Sequence, residues 1–254
     1  MPLPPLLADL PWYALVAIPL IVLVAYANFG ATGFGSSAVA VPALVHVFPL
    51  AFSVALATSL DVFAATSTSF RFRRVIAWDE FRRLVPAALI GIALGVTLVV
   101  NLPRAPALLA LGVFITLYGA YLLAGPRALR RAPGWLAWPI GLAGGVFSAL
   151  FGTGGPVYMV FLSARIQDKA SLRATSAAVV TMSVWVRLVV FAVAGVLLQP
   201  ALLIVAAVML PLMFVGLKLG NRLHRRLSGP GVLRLIAVVL ILNGASLIVR
   251  AGAG

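Results

Sequence analysis

Apolar residues in this chain neither alternate nor keep to one helical stripe. They come in continuous runs, separated by short polar, basic or glycine–proline stretches. Such runs indicate helices that are apolar all round, and the roughly 10-residue alternating segments of a membrane barrel are absent. The pattern places apolar segments at 12–28, 37–48, 51–70, 84–101 and 105–124, then at 135–151, 157–165, 172–198, 201–223 and 232–249. Segments 37–48 and 157–165 are too short to cross a bilayer alone, because a crossing takes about 20 residues at ~1.5 Å each. The breaks before them, "GATGFGSS" (30–37) and "FGTGGP" (151–156), concentrate what a helix tolerates least. In a helix interior, Gly costs about 1 kcal/mol and Pro about 3 kcal/mol.

The two series of segments resemble each other. "VPAALIGIALG" (85–95) aligns with "LPLMFVGLKLG" (210–220), so that Pro86/Pro211, Gly91/Gly216 and Gly95/Gly220 are all 125 apart, as are Gly119/Gly244. "ATS" recurs at 57–59 and 174–176, and "GFGSS" (33–37) pairs with "GTGGP" (152–156). A fixed offset across several glycines is the mark of an internal duplication. The expected fold is an all-α integral membrane protein. It has two inverted repeats of about five apolar helical segments, with broken or re-entrant helices at the glycine-rich tips. Residues 1–125 form the first repeat, 126–134 ("PRALRRAPG") a cytoplasmic linker and 135–254 the second.

Composition supports the membrane reading. The chain is 63% hydrophobic and only 9% charged, where a soluble domain carries roughly 25%. Lys and Arg number 19 against 5 Asp and Glu, for a net charge of +14. These cations sit in short loops between apolar runs, so they read as positive-inside topology signals and not as a nucleic-acid surface. Arg71, Arg73, Arg74, Arg82 and Arg83 mark one cytoplasmic loop. Arg127, Arg130 and Arg131 mark the linker, and Lys218, Arg222, Arg225 and Arg226 mark a third cytoplasmic region. Gln199–Pro200 and the N-terminal stretch, which lack Lys and Arg, are expected outside. Both ends of the interval from the linker to the third region are then inside. Segments 135–151 and 157–165 together must therefore contribute zero or two crossings. Each half makes an odd number of net crossings, and the halves are inverted. The first apolar run follows no basic n-region and reads as a retained span. The expected location is the cell (inner) membrane.

The absence of Cys removes disulfides and thiolate metal sites. His46 and His224 have no partner at metal-ligand spacing, and the spans offer no acid pair or nucleophile with a base. No metal, cofactor, nucleic-acid partner or enzymatic activity is expected. The candidate substrate-binding residues are those of the two tips, Gly33, Gly35 and Ser36 with Gly152, Thr153, Gly154 and Gly155. Thr58, Ser59, Thr175 and Ser176, hydroxyls at matching repeat positions, join them. Glycine lets a ligand approach the backbone, and helix N-termini just beyond the tips favour an anion. Packing glycines and helix back-bonding hydroxyls are the structural alternatives. Arg187, inside 172–198, is costly in lipid. It is read equally as an anion ligand, as the ion-pair partner of Asp61, or as a snorkelling side chain. Asp61 is the one acid placed within a span, a candidate for a coupling proton or for a structural pair.

"GATGFGSSAVAVPAL" and "GVFSALFGTGGPVYMVFL" resemble the two glycine-rich signatures of the sulfite exporter TauE/SafE family. "VALATSL" and "LRATSAA" resemble its central Ala-Thr-Ser segments, and "LPLMFVGLKLGNRLHRRLSGPGVLRLIAVVLILNGASLI" its closing region. The resemblance covers most of the chain in order. It departs at Ser36 and Ser37, where the first signature usually continues with glycine. It implies transport of small anions, mostly sulfur-containing ones such as sulfite or organosulfonates. The expected function is a secondary anion transporter, exporting by alternating access. An anion channel, an importer or an intramembrane enzyme are the alternatives. The expected partners are a small anionic substrate, membrane lipid and a possible second copy of the chain.

Overall fold

A computed structural model describes residues 10–101, 103–124, 132–193, 195–226 and 230–252. The expected linker 126–134 therefore lies, up to residue 131, outside the described residues. The described chain is helical: α1 (Ala14–Thr32), α2 (Ser36–Leu44), α3 (Leu50–Arg71), α4 (Trp78–Asn101), α5 (Arg104–Leu123), α6 (Ala137–Phe151), α7 (Gly154–Arg165), α8 (Lys169–Val193), α9 (Pro200–Arg226) and α10 (Pro230–Gly252). Six stretches, α1, α3, α5, α6 with its 3-10 lead-in, α8 and most of α9, are long and apolar enough to cross a membrane.

Two boundaries differ from the sequence pattern. α4 begins at Trp78, ahead of the apolar run, so Arg82 and Arg83 lie on the helix and not in a loop. Asp79 and Glu80 in its first turn complement the positive end of the helix dipole and extend it. α8 ends at Val193, short of the apolar limit at residue 198, because Gly195 turns left-handed (φ 72°) and leads into a 3-10 turn.

Packing follows glycine. Gly91 and Gly95 of α4 lie against Leu142, Gly145 and Val146 of α6. Gly216 and Gly220 of α9 lie against Leu23, Ala27 and Ala31 of α1. In lipid no hydrophobic force drives helices together, so close backbone approach through small residues supplies the van der Waals contact. α5 runs antiparallel to α10 through Gly112, Gly119 and Gly244. At the centre, α3 runs antiparallel to α8, with Ser69 bonded to Thr181 (2.7 Å) and the Trp185 indole donating to Thr66 (3.1 Å). Long helices thus pair largely across the two halves: α4 with α6, α9 with α1, α5 with α10 and α3 with α8.

The bundle has a basic end and a sparsely charged end. At the basic end, Arg165 at the close of α7 pairs with Glu80 at the start of α4 (2.7 Å) and donates to the Ala132 carbonyl (2.8 Å). Arg71, Lys169 and Arg222 lie at the same end, on α3, α8 and α9. At the other end, just before the start of α3, the Arg250 guanidinium meets the His46 ring (3.1 Å).

Candidate functional site

The two glycine tips are helix reversals. Gly33 closes α1 with a left-handed φ of 84°, Gly35 opens α2 at φ 80°, and Gly152 closes α6 at φ 73°. A side chain is strained at such angles, which is why glycine occupies them. In "FGTGGP", α7 starts at Gly154, so Pro156 falls in the first turn, where its missing N–H costs nothing. Asn28 donates to the Gly35 carbonyl (3.2 Å) and Thr32 accepts from the Phe34 amide (3.3 Å), and these bonds fix the first tip. The tips touch: a Cβ on Gly155 would lie 3.1 Å from Phe34 Cβ, and one on Gly152 3.0 Å from Ser37 Oγ. The first turns of α2 and α7, with amides that no helical carbonyl can satisfy, therefore meet in the protein interior.

Beside the tips lies a buried charge pair. Asp61, halfway along α3, and Arg187 of α8 approach to 3.7 Å, each side chain 2% exposed. Asp61 Oδ1 accepts from Tyr26 (2.8 Å) and Ser36 (2.6 Å), and Oδ2 accepts from Ser37 (2.5 Å). Arg187 Nη1 donates to the Ser148 carbonyl in the last turn of α6 (3.1 Å) and packs on Gly152. Arg187 Nε and the Thr153 hydroxyl are buried without a hydrogen-bond partner. Tyr158 and Ser183, bonded to each other at 3.2 Å, complete the wall. The cavity between them is about 10 Å³, room for about one water.

The family model for the sulfite exporter TauE/SafE matches residues 18–247. The chain belongs to this family. It is also 32% identical over 175 residues to the probable inner membrane transporter protein TsaS of Comamonas testosteroni, covering 68% of this chain and 73% of that protein. No solved structure matches. The TauE/SafE chain is thus a multi-pass membrane transporter, and not an enzyme.

Of the residues singled out from sequence, the TauE/SafE structure gathers Gly35, Ser36, Gly152, Gly155, Asp61 and Arg187 around one cavity. Arg187 does not snorkel, since it turns inward to Asp61. Four hydroxyls expected around the tips are not among the residues lining this cavity. Thr58 and Ser59 donate to the Val54 and Ala55 carbonyls of their own helix (2.7 and 2.9 Å). Thr175 accepts from the Ala77 amide at the basic end (2.9 Å), about three turns of α8 from Arg187. The neighbouring Ser176 hydroxyl is buried without a partner. Back-bonding wins at Thr58 and Ser59 because the helix carbonyl one turn back is within reach of a hydroxyl on the same helix. Sequence reasoning missed Tyr26, Ser37, Ser148, Tyr158 and Ser183. Ser37 had a signal, since it stands where the family signature usually has glycine, and both that residue and Ser36 donate to Asp61.

Toward the basic end the tips border a larger apolar chamber of about 400 Å³, walled by Phe34, Tyr118, Leu122, Pro156 and Met159. Phe34 and Pro156 belong to the tips themselves, and Lys169 and Arg173 line the chamber from the start of α8.

Proposed function

We propose that this transporter carries small sulfur oxyanions, such as sulfite or sulfonates, outward across the cell inner membrane, binding them at Arg187 between the two tips. The single observation that supports this most is Arg187: a cation 2% exposed, with an unpartnered Nε, placed where two helix N-termini converge. Ionisable groups inside the membrane are expensive and mark substrate paths. Donors and dipole ends suit an oxyanion and repel a cation.

The two halves are read as inverted repeats rocking about this site. In support, glycines matched by the 125-residue offset do matching work: Gly91 and Gly95 hold α4 to the second half, and Gly216 and Gly220 hold α9 to the first. The N-terminal end of α1 is read as outside, which puts the basic end in the cytoplasm. The cavity of about 10 Å³ is smaller than an oxyanion, so on this reading the tips move apart to admit one.

Asp61 is read as the coupling group. With Asp61 and Arg187 both charged the site is neutral, and adding an anion would bury a net negative charge at a cost of several kcal/mol. A proton on Asp61 removes that cost and frees Arg187 for the anion. Proteoliposomes loaded with labelled methanesulfonate test the reading: efflux from wild type and its loss in folded Arg187→Gln are expected. Unchanged efflux from that variant would place the site elsewhere.

A further inference from the structure

A second cavity of about 320 Å³ opens at the basic end between the end of α3, the start of α8 and the end of α9. Arg71, Phe72, Arg173, Lys218, Asn221 and Arg222 line it, four cations without an acid among the lining residues. The salt bridges among the described residues use Glu80 and Asp61, which lie elsewhere. Arg71 and Arg222 are exposed in the last turns of their helices, where cations complement the dipole, and Lys218 is exposed one turn before Arg222. Arg173 does not fit that explanation. It stands in the second turn of α8, near the positive end of that helix, and is 8% exposed. Its Nη2 holds the Gly30 carbonyl and Asn221, and its guanidinium stacks 5.1 Å over Phe72, while Nε is buried without a partner. A cation buried against the dipole, beside three more cations, is a cost that a bound anion would offset.

We propose that this cavity is an oxyanion site, separate from the Asp61–Arg187 pair. Arg173 and Arg187 are 14 residues apart on α8, a rise of about 21 Å. The ligand chemistry is a sulfate- or phosphate-like group, free or on a lipid headgroup. Arg173 supplies the desolvated charge, and Lys218 and Arg222 close over the anion from the exposed side. The Arg173 bond to Gly30 ties the site to the last turn of α1, just before the first tip.

Lys169 and Lys218 are the two lysines of the chain, which gives a residue-specific test. Purified protein in phosphatidylcholine nanodiscs is treated with an amine-acylating reagent, and each lysine is quantified by mass spectrometry. The comparison is sodium sulfate against sodium chloride at equal ionic strength. Sulfate at ten times its dissociation constant should slow Lys218 acylation about tenfold and leave Lys169 unchanged. Arg222→Gln, an exposed change that leaves the fold intact, should abolish this protection, whereas Ser37→Ala, at the other site, should retain it. Protection in phosphatidylglycerol nanodiscs without sulfate, and none by sulfate in phosphatidylcholine, would identify the lipid phosphate as the source of the same chemistry. No selective protection of Lys218 in either membrane, or equal slowing of both lysines, would overturn the site. Because the readout is not transport, a failure at Arg187 leaves this result standing.

Discussion

Arg187 and Asp61 face each other across the α3–α8 interface at 3.7 Å, and each is also held by a helix break: Asp61 by Ser36 and Ser37 at the start of α2, Arg187 by the Ser148 carbonyl at the end of α6. The pair is a cross-link between both halves of the chain and both tips. Removing one partner leaves the other buried and unpaired, a loss of roughly 3–5 kcal/mol. Asp61→Asn alone should therefore lower the apparent melting temperature in detergent more than Asp61→Asn combined with Arg187→Gln. Equal melting of the two variants would mean that the pair contributes no cross-link.

Proton coupling has its own signature. Calorimetric titration of purified protein with methanesulfonate, an anion that does not titrate near neutral pH, is repeated in buffers of different ionisation enthalpy. Wild type should take up about one proton per anion, the occupancy that keeps the buried site neutral. Asp61→Asn, which is neutral without a proton, should bind with no uptake. Proton uptake unchanged in Asp61→Asn would assign the coupling to another group.

The glycine seams predict a matched pair of packing defects. A Cβ on Gly145 would lie 2.7 Å from the Ile92 amide nitrogen, and one on Gly220 2.9 Å from the Ala31 amide nitrogen. Gly145→Leu and Gly220→Leu should each cost about 1–3 kcal/mol or more by overpacking, read as loss of monodisperse protein on size-exclusion chromatography. Gly195→Ala meets no neighbouring atom within 4 Å and should be tolerated, apart from the strain of its left-handed φ, about 1 kcal/mol. A Gly145→Leu protein as well behaved as wild type would remove the seam from the packing account.

His46, in the turn between α2 and α3, has its pKa lowered from the ordinary 6.5, first by burial and then by the Arg250 charge. The folded state thus holds fewer protons on this ring than the unfolded chain does. Its contribution to stability is present above about pH 6.5 and is lost as the pH falls through the lowered value. Apparent melting temperature should drop on acidification through this window, and His46→Gln should flatten that part of the profile. An identical profile in the variant would exclude His46 as its source.

Orientation is testable because the chain has no native Cys. Single cysteines at Gln199 and Gln167 lie in turns at opposite ends of the bundle. A membrane-impermeant thiol reagent applied to intact cells should label the Gln199 probe and spare the Gln167 probe. The reverse pattern would invert the topology and place the basic end outside.

Among the described residues, hydrophobic runs alone determined the helices and most of their limits, because in a bilayer each backbone group must bond within its own segment and the apolar length follows from the thickness crossed. The glycine-rich breaks were legible for the same reason: Gly33, Gly35 and Gly152 are where a helix cannot continue. Arg187 and Asp61 stood out because a charge in an apolar run has no cheap place to go. Their pairing, 126 residues apart in the chain, was decided only when α3 and α8 came together. So were the roles of Tyr26, Ser37 and Ser148, ordinary residues until a neighbouring helix presents them with a carboxylate or a guanidinium. Thr175, in the second "ATS" stretch, went to the Ala77 amide, because a hydroxyl bonds whatever acceptor or donor the local packing leaves nearest. Which tip glycine meets which side chain depends on distances of a few tenths of an ångström between helices, and no spacing along one chain carries that information.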